Sequence, residues 1–172
     1  VLDYSFDENK IKNFKIVSNL PYNISVPFIL KMNNRKYRLL WKEMILMVQK
    51  EVADRMVSIH NNKTYGRLSV AIQSRCDAYK VLDIKPGAFY PKPQVLSSIV
   101  KLVPKASLGA GLHSKLDQII KTAFNQRRKK IRNSLNKLFE TEVILNSGID
   151  PNARAENLSV DDYIKLSEIK RQ

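Results

Sequence analysis

The stretch Met44-Ile45-Leu46-Met47-Val48, inside Trp41 to Gln49, holds no polar side chain. An alternating strand can leave one face to water, but a strand that is apolar at consecutive positions must be covered on both faces, as inside a sheet with helices packed over it. Strand followed by helix occurs twice. Phe14 to Leu20 reads as a short buried strand that runs into Pro21, after which Ser25 is expected to cap a helix through Val26 to Met32, with Pro27 in its first turn. Trp41 to Gln49 is followed by Val52, Met56 and Ile59 at helical spacing. The repeat argues for an α/β sheet with parallel neighbours.

Past the turn-like Asn61 to Gly66, Leu68 to Cys76 fits either a helix or a strand, while Tyr79 to Ile84 and Ser97 to Val103 read as strands. Lys85 to Pro93 is too rich in Pro and Gly for a regular element. Pro104 to Gly111 is small and polar, the best linker candidate. Beyond it the spacing becomes helical: Leu116, Ile119, Ile120 and Ala123 mark one helix, and Ile131, Leu135 and Leu138 another. Ser159 with Asp162 is a capping-box start for a last helix carrying Tyr163 and Leu166. Two domains are expected, an α/β one over residues 1–104 and an all-α one over residues 105–172. A chain of 172 residues, 44% of them hydrophobic, is long enough for one core and a small appendage.

The formal charge is +14, from 30 Lys and Arg against 16 Asp and Glu, and it is spread along the chain. That favours a polyanionic partner, although a lysine-rich solvated surface gives the same count. Cys76 is the single cysteine, and His60 and His113 are the two histidines, so no internal disulfide and no metal site are expected. There is no long apolar run and no leader pattern at Val1-Leu2-Asp3-Tyr4, so the expected setting is cytoplasmic, with no membrane partner. Val1 is not a methionine, as in a sequence that begins inside a longer one or in a processed chain.

Asn19-Leu20-Pro21-Tyr22 sets a polar side chain, a rigid proline and an aromatic at the carboxyl end of the first strand, where ligands of open α/β sheets bind. Alone, the tetrapeptide equally describes an ordinary strand-to-loop turn with a buried tyrosine. Phe89, likewise, could be a core aromatic anchoring its proline-rich loop. Arg127, Arg128, Lys129, Lys130 and Arg132 could be the solvated face of a helix whose apolar stripe is Ile131, Leu135 and Leu138.

The segment continues as Asn19-Leu20-Pro21-Tyr22-Asn23-Ile24-Ser25, and this heptapeptide resembles the catalytic motif of the small-subunit ribosomal RNA adenine-N6 dimethyltransferases. Gln49 to Arg55, Tyr65 to Ser69, Phe89 to Ser98 and Phe124 to Leu135 are similar to successive blocks of the same family, in the same order. The resemblance implies the C-terminal portion of a class I, Rossmann-like methyltransferase sheet followed by a small all-α, RNA-binding domain. It implies S-adenosylmethionine as methyl donor, small-subunit ribosomal RNA in a 30S-type particle as partner, and a monomer. It makes Asn19, Leu20, Pro21 and Tyr22 the catalytic segment. Asn19 and the Leu20 carbonyl would accept from the adenine N6 amine, whose lone pair is otherwise delocalised into the ring, and Pro21 would fix the backbone between them. Tyr22 would be the stacking platform, Phe89 the aromatic on the other side of the base, and Asn19 would also lie next to the donor methyl. Arg127, Arg128 and Arg132 would neutralise RNA phosphates.

Family members resemble other class I methyltransferases in carrying, upstream of this point, a Gly-rich loop and two acidic residues for the donor. Val1 to Phe6 is similar to the family segment just after the last of these, and Asp3 comes too late to be it. The expectation is a chain that binds donor weakly and is inactive alone. Two alternatives stand beside the enzyme: a non-catalytic RNA-binding or ribosome-assembly module, and the related large-subunit methyltransferase of the macrolide-resistance type. Against the latter stands Phe124-Asn125-Gln126-Arg127-Arg128-Lys129. If the basic run holds phosphates, affinity for structured RNA should fall steeply with salt. Replacing Arg127, Arg128 and Arg132 by alanine should flatten the slope of log K against log salt by about 0.7–0.9 for each phosphate that is no longer neutralised, read by fluorescence anisotropy.

Overall fold

A computed structural model of the chain describes residues 12–106, 109 and 111–169. The Val1 to Phe6 segment lies outside these, as does part of the expected linker Pro104 to Gly111. Packing divides the chain into two units, one made of the described residues up to Val57 together with Arg75–Ala106, the other of Ser58–Ser74 with the described residues beyond 106.

The first unit is an α/β layer. Its elements run β1 (Phe14–Asn19), α1 (Tyr22–Met32), α2 (Arg35–Arg38), β2 (Trp41–Gln49), α3 (Lys50–Val57), β3 (Cys76–Ile84) and β4 (Ser97–Pro104). The sheet order is β1-β2-β4-β3. β1 runs parallel to β2, whereas β4 is antiparallel to both β2 and β3, so the sheet is mixed rather than wholly parallel. β2 has the bounds read from the sequence, and Met44, Leu46, Met47 and Val48 are buried. Phe28, Ile29 and Met32 of α1 are buried too, and the Trp41 indole N–H donates to the Met32 carbonyl at 2.9 Å.

α1 starts at Tyr22, three residues before the expected cap. Pro21 occupies the N-cap, with φ −51° and ψ 138°. Ser25 is buried inside the helix, where its hydroxyl donates to the Tyr22 carbonyl at 2.9 Å instead of capping. The ambiguous stretch from Leu68 to Cys76 resolves into a helix followed by the first residue of β3.

Arg38 is buried, and its guanidinium donates to the main-chain carbonyls of Lys105 at 3.0 Å and Arg75 at 3.4 Å. Desolvation lowers its pKa. Cys76, also buried, donates its thiol proton to the Asn33 amide oxygen at 2.8 Å, and burial pushes that thiol up to about 12. Between α3 and β3, the Asp54 carboxylate accepts from Lys50 at 2.6 Å and Lys80 at 2.7 Å.

The second unit contains α4 (Arg67–Gln73), α5 (Leu112–Asn125), α6 (Ile131–Ser134), α7 (Thr141–Asn146) and α8 (Val160–Glu168). Its core joins Tyr65 and Val70 to Leu116, Ile119, Ile120, Ile131, Leu135, Tyr163 and Leu166. Ser58–Ser74, which the sequence places with the first domain, therefore packs with the helices, because Tyr65 and Val70 find their apolar cover there. The Tyr65 hydroxyl donates to the Leu158 carbonyl at 2.9 Å. Phe124 meets the Tyr65 ring edge-on at 6.2 Å and stacks on Tyr163 at 5.8 Å. α8 begins with the expected box: Ser159 Oγ accepts from the Asp162 N–H at 3.1 Å, and Asp162 accepts from the Ser159 N–H at 3.0 Å. α7 is not expected from the sequence pattern, and it closes at Gly148, whose φ of +77° is the left-handed conformation glycine adopts freely.

Two measurements test this packing. Tyr65→Phe strands the buried Leu158 carbonyl and should destabilise the protein by about 1–3 kcal/mol in a denaturant titration. For Asp54, desolvation acts upward, but the hydrogen bonds from Lys50 and Lys80 outweigh it and hold the carboxyl below its ordinary value. A depressed folded-state pKa contributes stability above the unfolded value, lost as pH falls through the folded one. Asp54→Asn should therefore reduce the loss of melting temperature seen across the acid range.

Candidate active site and nucleic-acid interface

The carboxyl end of β1 is placed by its pairing, with Asn19 opposite Met47 of β2. Asn19 is exposed, and no described residue hydrogen-bonds its carboxamide. Leu20 is half-buried and Pro21 exposed. The Ile24 N–H closes the first turn of α1 on the Pro21 carbonyl at 3.1 Å, which leaves the Leu20 carbonyl outside the helix ladder. Asn19 thus ends a strand, Tyr22 begins a helix, and two residues with a fixed backbone stand between them.

Tyr22 is half-buried, and its hydroxyl shares a 2.6 Å hydrogen bond with the hydroxyl of Ser97. Ser97 is fully buried at the start of β4, opposite Gln49 of β2 on one side and Ile84 of β3 on the other. The Lys50 N–H donates to the Leu96 carbonyl at 2.9 Å, which ties the approach to β4 to the end of β2. Phe89 follows a short 3-10 turn, Pro86–Ala88, and its N–H donates to the Pro86 carbonyl at 3.2 Å. Its ring is half-buried and makes no ring contact with Tyr22. The sheet therefore brings Ser97 to the contiguous segment Asn19, Leu20, Pro21 and Tyr22. Phe89 sits on its own loop and does not stack on the tyrosine.

In the second unit, Arg127, Arg128 and Lys129 lie in a turn after α5, not on a helix face, and Arg132 is on the short α6. All four are exposed. The turn is stitched to two other loops. Lys130 bridges Arg154, the Ile131 N–H donates to the Ala153 carbonyl at 2.7 Å, and the Arg132 N–H donates to the Pro151 carbonyl at 3.1 Å. Arg127 donates through Nε to Glu156 at 2.6 Å and through Nη2 to the Lys63 carbonyl at 3.1 Å. The Asn157 amide donates to Asn61 Oδ1 at 2.8 Å. Arg127 is thus engaged in holding loops together, while Lys63 and Arg154 join the basic cluster from elsewhere in the sequence.

Ser97, Lys63 and Glu156 do not stand out in the sequence, because their partners are remote in the chain; the Ser97-Ser98 pair opening a strand is the one available signal. Among the described residues, no group of three or more His, Cys, Asp or Glu side chains could hold a metal ion. No helix among them is long and apolar enough to cross a membrane.

A mixed sheet flanked by helices, with Asn-Leu-Pro-Tyr at a strand's carboxyl end and an all-α region, is the Rossmann-like architecture of the RNA adenine methylases. The chain belongs to the ribosomal RNA adenine dimethylase family, whose model matches residues 1–172. It is 44% identical over 155 residues to ribosomal RNA small subunit methyltransferase A of Klebsiella pneumoniae, and 45% identical to that of Escherichia coli. Each alignment covers 89% of this chain and 56% of the relative, so the chain spans little more than half their length. Among solved structures it is similar to a dimethyladenosine transferase from Plasmodium falciparum, with a TM-score of 0.79, 28% identity, and coverage of 96% of this chain and 68% of that one. The 23S rRNA methyltransferase ErmE shares the fold, with a TM-score of 0.70 at 20% identity, over 97% of this chain and 68% of that one.

Proposed function

We propose that this chain forms the base-binding and RNA-binding part of an S-adenosylmethionine-dependent enzyme that dimethylates adenine N6 in small-subunit ribosomal RNA, acting as a monomer on a 30S-type particle in the cytoplasm. The observation that carries the reading is the uncommitted pair of acceptors, the Asn19 carboxamide and the Leu20 carbonyl, just before a tyrosine held by its hydroxyl. Accepting from both N6 hydrogens localises the amine lone pair and aims it for in-line attack, so the protein's work is mainly orientation. Tyr22 gives the extracted base a flat face, and Phe89 closes over it from its loop. The donor, when bound, supplies a methyl on a sulfonium. Of this chain's residues, Asn19, exposed and free to turn, would touch it, and the greater part of the donor's contacts would come from residues not in this chain. The amine proton becomes acidic once the methyl is transferred, so no strong base is required, and a second round on the monomethyl product gives the dimethyl one. Arg128 and Arg132, with Arg127 anchoring the turn, neutralise phosphates.

Single-turnover methylation of a small-subunit particle by the whole protein tests this. Asn19→Ala should slow the chemical step by roughly a hundred- to a thousandfold, about 2.7–4 kcal/mol, with RNA affinity little changed. Tyr22→Ala should in addition weaken base capture by about 1–3 kcal/mol. A near-unaltered rate for Asn19→Ala would remove the motif from the chemistry and favour the RNA-binding module.

A further inference from the structure

The geometry points to Ser97 as a positioning residue for the methyl transfer: its hydroxyl, fixed inside the sheet, sets the tilt of the Tyr22 ring and with it the plane in which the adenine is presented. The inference rests on the methyl-transfer reading of the site and adds to it a residue that the motif itself does not contain.

Three observations carry it. The Tyr22–Ser97 bond is short, 2.6 Å, and joins residues 75 apart in sequence. Ser97 is fully buried and paired on both sides, between Gln49 and Ile84, so its backbone cannot follow the tyrosine if the ring swings, and its hydroxyl can move only by turning about one side-chain bond. Tyr22, by contrast, is the first residue of its helix and only half-buried, and nothing else among the described residues holds its hydroxyl. A phenol ring in that position turns about two side-chain bonds, and a single hydrogen bond at its far end removes most of that freedom. The ring is the platform on which the base lies, so an unfixed tilt moves the N6 amine relative to the Asn19 and Leu20 acceptors. Displacements of about 1 Å at a reacting atom cost large factors in rate.

Ser98 supplies the comparison. It is equally buried and adjacent in the same strand, but its hydroxyl donates to Asp83 at 2.6 Å and not to the motif.

The test uses the whole protein and a small-subunit particle, with single-turnover rate constants and RNA dissociation constants measured side by side. Ser97→Ala and Tyr22→Phe are each expected to lower the rate constant by roughly tenfold. The double variant should be no slower than either single one, since both remove the same bond. RNA affinity should be unchanged, Ser97→Thr should restore the rate by restoring a hydroxyl, and Ser98→Ala should turn over like the unsubstituted protein. Tyr22→Phe keeps the packing and so guards against a Ser97→Ala variant that folds poorly. A Ser97→Ala rate equal to the parent's would overturn the inference, as would losses that multiply in the double variant or an equal loss in Ser98→Ala. An inactive parent protein would instead overturn the methyl-transfer reading, and the positioning role with it.

Discussion

A strand with apolar side chains at five consecutive positions must be enclosed on both faces and bonded along both edges, and β2 satisfies this by taking neighbours of opposite sense. β1 lies parallel on one side and β4 antiparallel on the other. That choice brings the end of one strand and the start of the other to the same rim of the sheet. Asn19 stands level with Met47, and Ser97 with Gln49, two residues further along the same strand. At about 3.3 Å per residue and about 4.8 Å between strands, Ser97 lies roughly 12 Å from Asn19, so the three residues to Tyr22 cover about 10 Å at most and the tyrosine side chain spans the rest. The bond between tyrosine and serine follows from the register of β2 with its two partners.

The same logic explains what could be read from the chain and what could not. β2 was legible to the residue because burial on both faces writes itself as an unbroken apolar run. The start of α1 was not, because Ser25 is a favoured capping type and Pro21 is not. Pro21 nevertheless enters the helix with its φ already near the helical value, and Ser25 turns its hydroxyl back onto the Tyr22 carbonyl. Asn19-Leu20-Pro21-Tyr22 could be found because all its parts are adjacent. Ser97 could not, since its role comes from a residue on another element. The basic run was visible as charge but misplaced as backbone, because a turn pinned by Lys130 to Arg154 and by Arg127 to Glu156 depends on pairings no local pattern contains.

That pinning also changes how the basic residues divide the work. An exposed ion pair such as Arg127 with Glu156 contributes about 0–1 kcal/mol to stability. With the Lys63 carbonyl as a second acceptor, however, it selects one arrangement of three loops. A rigid cluster loses less conformational entropy when it meets a phosphate backbone than a set of free side chains would. In the proposed RNA complex, one arginine held by Glu156 and the Lys63 carbonyl would improve the binding of its neighbours without touching RNA.

The hydroxyl of Tyr65 and the carbonyl of Leu158 are 93 residues apart. On a translating ribosome, at about 5–20 residues per second, the middle segment therefore waits roughly 5–20 s before the last helices arrive to cover it. During that interval Tyr65 and Val70 can gather cover from Leu116, Ile119 and Ile120 of α5 but not from Tyr163 and Leu166 of α8, even after the strands on either side of them have been made. The core of the second unit is complete only when α8 emerges, and a chain cut short before α8 would leave the side of that core which Tyr163 and Leu166 fill open to chaperones and proteases.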